Sequence, residues 1–224
     1  MLLFKIIYKK LPVNIRIFLI KTFKFFLYKF RFFKLKLAIY LKKDIKIIIG
    51  AALTSQEGWY STNEGWFDVS NSKHWNRLFN INTTLSNVMA EHVFEHLTEQ
   101  EMETSIGLIY KYLKKNGILR IAVPDGNNPD PEYRLNTGIK GIGPDAVDHK
   151  QFITYEFIKY HLEKIGFECE IKEGYLANGQ LIIKNIEDNL GYIMRSRSNF
   201  SNNITKRWLF NDASTSLIVD AIKL

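Results

Sequence analysis

From residue 44 onward, short runs of β-branched and aliphatic residues alternate with stretches whose apolar positions recur every three to four residues. These two periods separate strands from helices. Residues 45–49 (IKIII) read as a buried strand that ends at Gly50, and Gly50, Ala51 and Ala52 form a small-residue turn. Residues 58–63 (GWYSTN) form a second strand. The eight residues between Gly50 and Trp59 are too few for the crossover helix that a parallel pair normally uses. A short helix over 72–79 and a strand over 85–90 follow. Thr98 and Glu101 then have the spacing of a capping box, so the next helix starts there. That helix carries Ile106, Ile109, Tyr110 and Leu113 on one face, with Lys111, Lys114 and Lys115 near its end and Gly117 as its expected C-cap. A strand over 118–123 stops at Pro124.

Residues 125–150 are rich in Gly, Pro and Asp, and form a longer loop than a compact domain holds without a functional reason. Thr154 caps a helix that runs to Ile165 and closes at Gly166. Strands over 167–172 and 216–223 complete the pattern. Residues 174–213 have no clear period beyond a hairpin around Asn178-Gly179. The element order predicts an α/β fold, a trimmed Rossmann-like domain. Its sheet is mostly parallel with an antiparallel C-terminal strand pair, and helices lie on both faces.

Charge divides the 224 residues into two parts. Residues 1–43 hold twelve Lys and Arg, eleven aromatics and no Asp or Glu, while 44–224 carry 19 basic and 23 acidic side chains. The net charge of +8 thus belongs to a basic aromatic segment and not to the domain at 44–224, which weakens a nucleic-acid reading of the whole chain. No apolar run in 1–43 approaches the ~20 residues of a spanning helix. The segment either lies in the interface of an anionic membrane, packs on the domain as an N-terminal helix, or meets another acidic partner. Pro12 suits a helix start, although the alternation over 28–37 fits a strand nearly as well. Cys169 is the single cysteine, so an intrachain disulfide is excluded and a reducing, cytoplasmic setting is compatible, with the basic segment at the inner face of a membrane.

Glu91, His92, Glu95 and His96 stand within six positions of AEHVFEHL, just after the strand over 85–90. The carboxyl ends of strands are where open α/β sheets bind their ligands. His92-Val-Phe-Glu95-His96 also has the H-x-x-E-H form of a zinc peptidase. That chemistry needs both imidazoles on one face of a helix, whereas Thr98 places the helix start after the motif, so no metal ligand is assigned. His96 and Glu95 are read as structural support, and His74 and His161 as helix-surface residues without a role.

The succession IIIGAA, GWYSTN, FDVS, AEHVFEHL, KYLKKNGILRIAVPDG and DHKQFITYEFIKYHLEKIGF resembles the class I S-adenosylmethionine-dependent methyltransferases over roughly residues 45–167, and SLIVDAIK is similar as well. The resemblance implies S-adenosylmethionine as cofactor. It places Gly50, Ala51 and Ala52 along the methionine part, Asn63 at the ribose, Asp68 at the adenine amino group, and Glu91 and His92 beside the methyl group. It also places Asp125, Asp148 and Lys150 on the substrate side. Ala52 stands where the family more often has Gly and needs a negative φ to fit; Asn63 stands where the family has an acid. Methyl transfer to oxygen needs a base, and His92 and His149 are the candidates, since histidine as a residue type titrates near neutral pH. The acceptor expected is a small molecule or glycan, such as a lipid-linked glycan or envelope precursor. The alternatives are a methyltransferase-type fold without activity and, behind it, the zinc hydrolase.

Overall fold

The computed structural model describes residues 11–41, 44–52, 54–79, 83–143, 146–197 and 216–224. Helix α1 (Val13–Tyr40) begins directly after Pro12, whose missing N–H costs nothing at a helix start. The helical reading of the basic segment therefore prevails over the strand. Strands β1 (Ile45–Ile49) and β2 (Tyr60–Ser61) are parallel and joined without a helix, as the short connection required. Helix α2 (Ser72–Leu78), strand β3 (Leu85–Glu91), helix α3 (Glu99–Tyr112), strand β4 (Leu113–Pro124), helix α4 (Pro131–Thr137) and helix α5 (Tyr155–Ile165) follow. Strands β5 (Phe167–Tyr175), β6 (Leu181–Ile183) and β7 (Ser216–Lys223) complete a seven-stranded sheet in the order β2-β1-β3-β4-β7-β5-β6. The first four positions are parallel, and β7 runs antiparallel to both β4 and β5. The expected Rossmann-like sheet with its antiparallel C-terminal pair is present, and β5 and β6 form the hairpin at Asn178-Gly179, with Gly179 at φ +83°.

The boundary between α3 and β4 differs from the expectation. The helix ends at Tyr112, and Leu113 is already extended and paired with Leu85. Lys114 and Lys115 therefore lie in the strand, and Gly117 is not a helix cap. Asn116 takes φ +60°, and a Cβ on Gly117 would come within 2.9 Å of the Ser86 carbonyl, so glycine lets β4 pass close to β3 at a register shift. Residues 125–150 contain α4, whose N-cap Asp130 accepts from Glu132 and Tyr133 N–H. The sequence reading had no helix there.

Alternate side chains along each strand face opposite sides. One side, with Ile47, Val88, Ile121 and Val219, packs against Trp75 of α2, Met102, Ile106 and Ile109 of α3, Ile158 and Leu162 of α5, and Leu35 and Ala38 of α1. The other side, with Ile48, Met89, Ala122 and Ile218, meets Trp59, Ile186 and Ile193. These come from connecting segments, while α1, α2, α3 and α5 all pack on the first side. Arg120 and Asp220 belong to this second side. The fully buried Arg120 guanidinium binds both Asp220 oxygens at 2.7 Å and donates to the Glu187 and Gly191 carbonyls, also at 2.7 Å. The segment 187–197 is thus strapped across this second face.

Candidate functional site

The parallel strands diverge in chain order at β1, with β2 on one side and β3 on the other. Such a switch point opens a crevice at the carboxyl ends of the strands. Gly50 leaves β1 at φ +63°, and a Cβ there would meet Val93 Cγ2 at 2.6 Å. The close packing of Val93 therefore accounts for this glycine. Ala51 is buried and donates its N–H to the Thr62 carbonyl. Ala52 sits at φ +45°, contrary to the negative φ expected for it, in a region that a non-glycine residue seldom occupies.

Arg31 of α1 holds this loop. Its guanidinium donates to the carbonyls of Ala52 (2.7 Å) and Thr54 (3.0 Å) and to Asn63 Oδ1 (2.8 Å). The Asn63 amide nitrogen in turn donates to Ala52 O, so both ends of the side chain expected at the ribose are engaged within the protein. Asp68 accepts from the N–H and hydroxyl of Ser70, a local turn, and its own N–H donates to His74 Nδ1. Glu91, at the end of β3, accepts from the backbone N–H groups of Met194 (3.2 Å) and Arg195 (2.9 Å). Gln56 is doubly bonded to Tyr192 of the same strap.

Beyond Glu91 the chain turns sharply. His92 has φ +53°, yet its N–H still donates to Ala122 O at 2.8 Å. A single 3₁₀ turn, Phe94–His96, precedes the helix, which begins after Thr98 with a complete capping box. His92 and His96 are therefore not one helical turn apart on an α-helix, and the zinc-peptidase geometry is absent. The imidazole of His92 lies between Glu95 Oε1 (3.0 Å from Nδ1) and Ser216 Oγ (3.2 Å from Nε2). Glu95 is fully buried, and burial pushes its carboxyl up to about 7 against the opposing effect of His96, His149 and Arg195.

The DHK element docks on this turn. Lys150 and Gln151 N–H both donate to the Glu95 carbonyl, and Gln151 Nε2 donates to Leu97 O. His149 is buried, its Nδ1 2.8 Å from Thr137 O, and its ring meets His96 edge-on with centroids 4.8 Å apart. Asp148 is exposed, 3.1 Å from His96 Nδ1, and Lys150 Nζ lies 3.2 Å from Glu101. Asp125 is fully buried. Its carboxylate accepts from Asn127 and Tyr175 N–H and lies 3.9 Å from Arg197, which is a bracing role and not a substrate-facing one. His161, read as a surface residue, is buried and bonded to Glu103.

The structure thus gathers Gly50, Ala51, Ala52 and Asn63 in one cluster, and His92, Glu95, His96, His149 and Ser216 in another around the end of β3. Arg31, the burial of Glu95 and the approach of Ser216 escaped the sequence reading. Only the start of SLIVDAIK beside the partner strand hinted at the last.

No protein-family model and no curated protein matches the chain. Among solved structures it is similar to an S-adenosylmethionine-dependent methyltransferase from Archaeoglobus fulgidus, at 22% identity and TM-score 0.46 over 87% of this chain and 94% of that one. It is also similar to one from Thermotoga maritima described as a possible histamine N-methyltransferase, at 14% identity and TM-score 0.45 over 92% and 96%. A third, from Mesorhizobium loti, has 9% identity and TM-score 0.46 over 80% and 90%. At these scores and identities they stand as likenesses only.

Proposed function

We propose that the chain binds S-adenosylmethionine at the β1/β3 switch point and transfers its methyl group to an acceptor. The observation that carries this reading is that the Gly50–Ala52 turn, bonded to Asn63, leaves β1 at the carboxyl edge next to the end of β3 that carries Glu91, in the order the motif resemblance requires. The donor set suits the cofactor: an amide for ribose hydroxyls, and a carboxylate whose oxygens each accept one hydrogen bond and retain lone pairs. When bound, the cofactor supplies an electrophilic methyl group on a sulfonium. The chain's own part is to align the acceptor and exclude water. His92 would take the acceptor's proton at Nε2, with Glu95 against Nδ1 to stabilise the imidazolium. His149, Asp148 and Lys150 flank the same turn on the acceptor side.

The acceptor in this reading is a small molecule or glycan presented at an anionic membrane surface. α1 supports it, because Phe18, Phe23, Phe25, Phe26, Phe30 and Phe33 are exposed on a helix without a single acid. No described helix is long and apolar enough to cross a membrane, so the helix would lie in the interface. Replacing Phe18, Phe23 and Phe26 by Ser removes about 1.5–3 kcal/mol of burial per ring and should abolish co-sedimentation with phosphatidylglycerol vesicles. Unchanged sedimentation would refute the membrane part.

A second reading, a methyltransferase-type fold that no longer binds cofactor, is favoured by the engagement of Asn63 with Arg31. Calorimetry of the full chain with S-adenosylmethionine and S-adenosylhomocysteine separates the two. Binding of either supports methyl transfer; no heat at millimolar ligand leaves the inactive fold.

A further inference from the structure

We infer that Glu95, His96 and His149 form a site for one divalent transition-metal ion, with zinc as its fitting occupant. One donor atom from each lies within 4.8 Å of the other two. The cluster joins the 3₁₀ turn after β3 to the loop after α4, two segments 53 residues apart that are already stitched by the Lys150 and Gln151 bonds to Glu95 O. Two imidazoles and a carboxylate are the donor types that zinc takes when one position stays open. Donors around a tetrahedral ion with bonds of about 2.1 Å are about 3.4 Å apart, so pairs of donors now up to 4.8 Å apart need to close by about 1.4 Å at most.

Three features point to a ligand. Glu95 is fully buried, and its Oε2 makes no hydrogen bond to any described residue. Its Oε1 has His92 Nδ1 at 3.0 Å but outside hydrogen-bond geometry. A buried carboxylate left in that state is costly, and a dication would offset the cost. The imidazoles also agree. His149 Nδ1 faces the Thr137 carbonyl at 2.8 Å and so carries the proton, which leaves Nε2 with the lone pair. His96 Nδ1 lies 3.1 Å from Asp148 Oδ1 but outside hydrogen-bond geometry, so a second buried polar atom beside Glu95 is left without a formed bond. Finally, the His96 side chain is about one-third exposed, so the ion's fourth position opens to solvent and would take water or an anionic oxygen ligand.

This site uses Glu95-His96 and His149 in place of the two histidines of H-x-x-E-H, and it does not depend on cofactor binding. The test is equilibrium dialysis of the EDTA-stripped, untagged full chain against Zn²⁺, followed by metal analysis. One equivalent retained by the wild type, at least tenfold less by Glu95→Gln, His96→Gln and His149→Gln, and full retention by His74→Gln would establish the site. Co²⁺ in place of Zn²⁺ should give d–d absorption that each of the three ligand variants loses. Circular dichroism checks that the variants are folded, and any one folded ligand variant suffices. No retained zinc in the wild type overturns the inference, as does equal retention by the folded ligand variants. In the first case Glu95 is simply paired with an imidazolium.

Discussion

Replacing Arg120 by Leu should be among the most damaging single changes available outside the apolar core. Arg120 is fully buried and spends four donors: two on Asp220 and one each on the carbonyls of Glu187 and Gly191, all at 2.7 Å. Leucine fills most of the space and restores none of these bonds. Asp220, itself buried, is left with Lys172 at 4.0 Å as its nearest cation. Leaving one charge of a buried pair unmatched costs about 3–5 kcal/mol, and two orphaned carbonyls add to it. For a chain of this size that is a fall in Tm of roughly 6–20 °C. Urea denaturation followed by tryptophan fluorescence measures the loss directly, and Trp59, on the strapped face, reports on it locally. The double variant Arg120→Leu, Asp220→Leu should recover much of the loss, because an apolar pair does not leave a charge behind. A loss below ~1 kcal/mol in the single variant would show that the strap does not depend on this pair, and no recovery in the double would show that the carbonyls dominate.

Three further outcomes are expected. Burial pushes the Asp125 carboxyl up to about 6, so the folded chain binds an extra proton between about pH 4 and 6. Through this group stability is highest below the unfolded value and falls as pH rises through that window, by on the order of 3 kcal/mol. Asp125→Asn should flatten that part of a urea-midpoint profile, and an unchanged slope would reject the assignment. Thr98→Ala removes the acceptor for Glu101 N–H in the α3 capping box and should cost ~1 kcal/mol in urea melts, with no change in slope m. Arg31→Ala frees Asn63 Oδ1, while the Ala52 and Thr54 carbonyls keep Asn63 Nδ2 and Ser61 Oγ as donors, so S-adenosylhomocysteine, competing for Asn63, should bind roughly five- to tenfold more tightly by calorimetry; equal or weaker binding would remove Asn63 from the proposed site.

The strands and capped helices were legible because local chemistry specifies them. IKIII and SLIVDAIK have no helical period, Thr98-x-x-Glu101 builds its box from its own residues, and Gly166 takes the positive φ that ends α5. The end of α3 departs from an equally local signal: lysines followed by glycine look like a helix terminus. What overrides that signal is tertiary, the burial of Leu113 against the sheet beside Leu85. Helix α4 has a local signal of its own, since Asp130-Pro131 is an N-cap followed by proline at the first helical position. The site was legible only in part. That AEHVFEHL lies at a strand end follows from the run before it, but the approach of His149 to Glu95 is fixed by a long loop whose path no periodicity encodes. Asn63 could not announce its use by Arg31, because that contact depends on how α1 lies across the edge of the sheet.

The two halves of the candidate site differ in a way that bears on where chemistry should be sought. Around Asn63 and Glu91 the main polar groups have partners: Arg31 from α1, and the N–H groups of Met194 and Arg195 from the strap. Those contacts hold the loop and the strap in place, and a ligand must displace or join them. Around Glu95 the balance is reversed. A carboxylate is taken out of water, supplied with two histidines and no well-formed hydrogen bond, and enclosed by a turn that holds His92 at a strained positive φ. Folding alone gains nothing from such an arrangement, since an apolar residue at position 95 would pack without the desolvation cost. Strain and unmet polarity that persist together mark a position shaped by something other than stability. The Glu95-His96-His149 end of the cluster is therefore the half in which binding a ligand offsets a standing cost, and the Asn63 end is the half in which binding must overcome one.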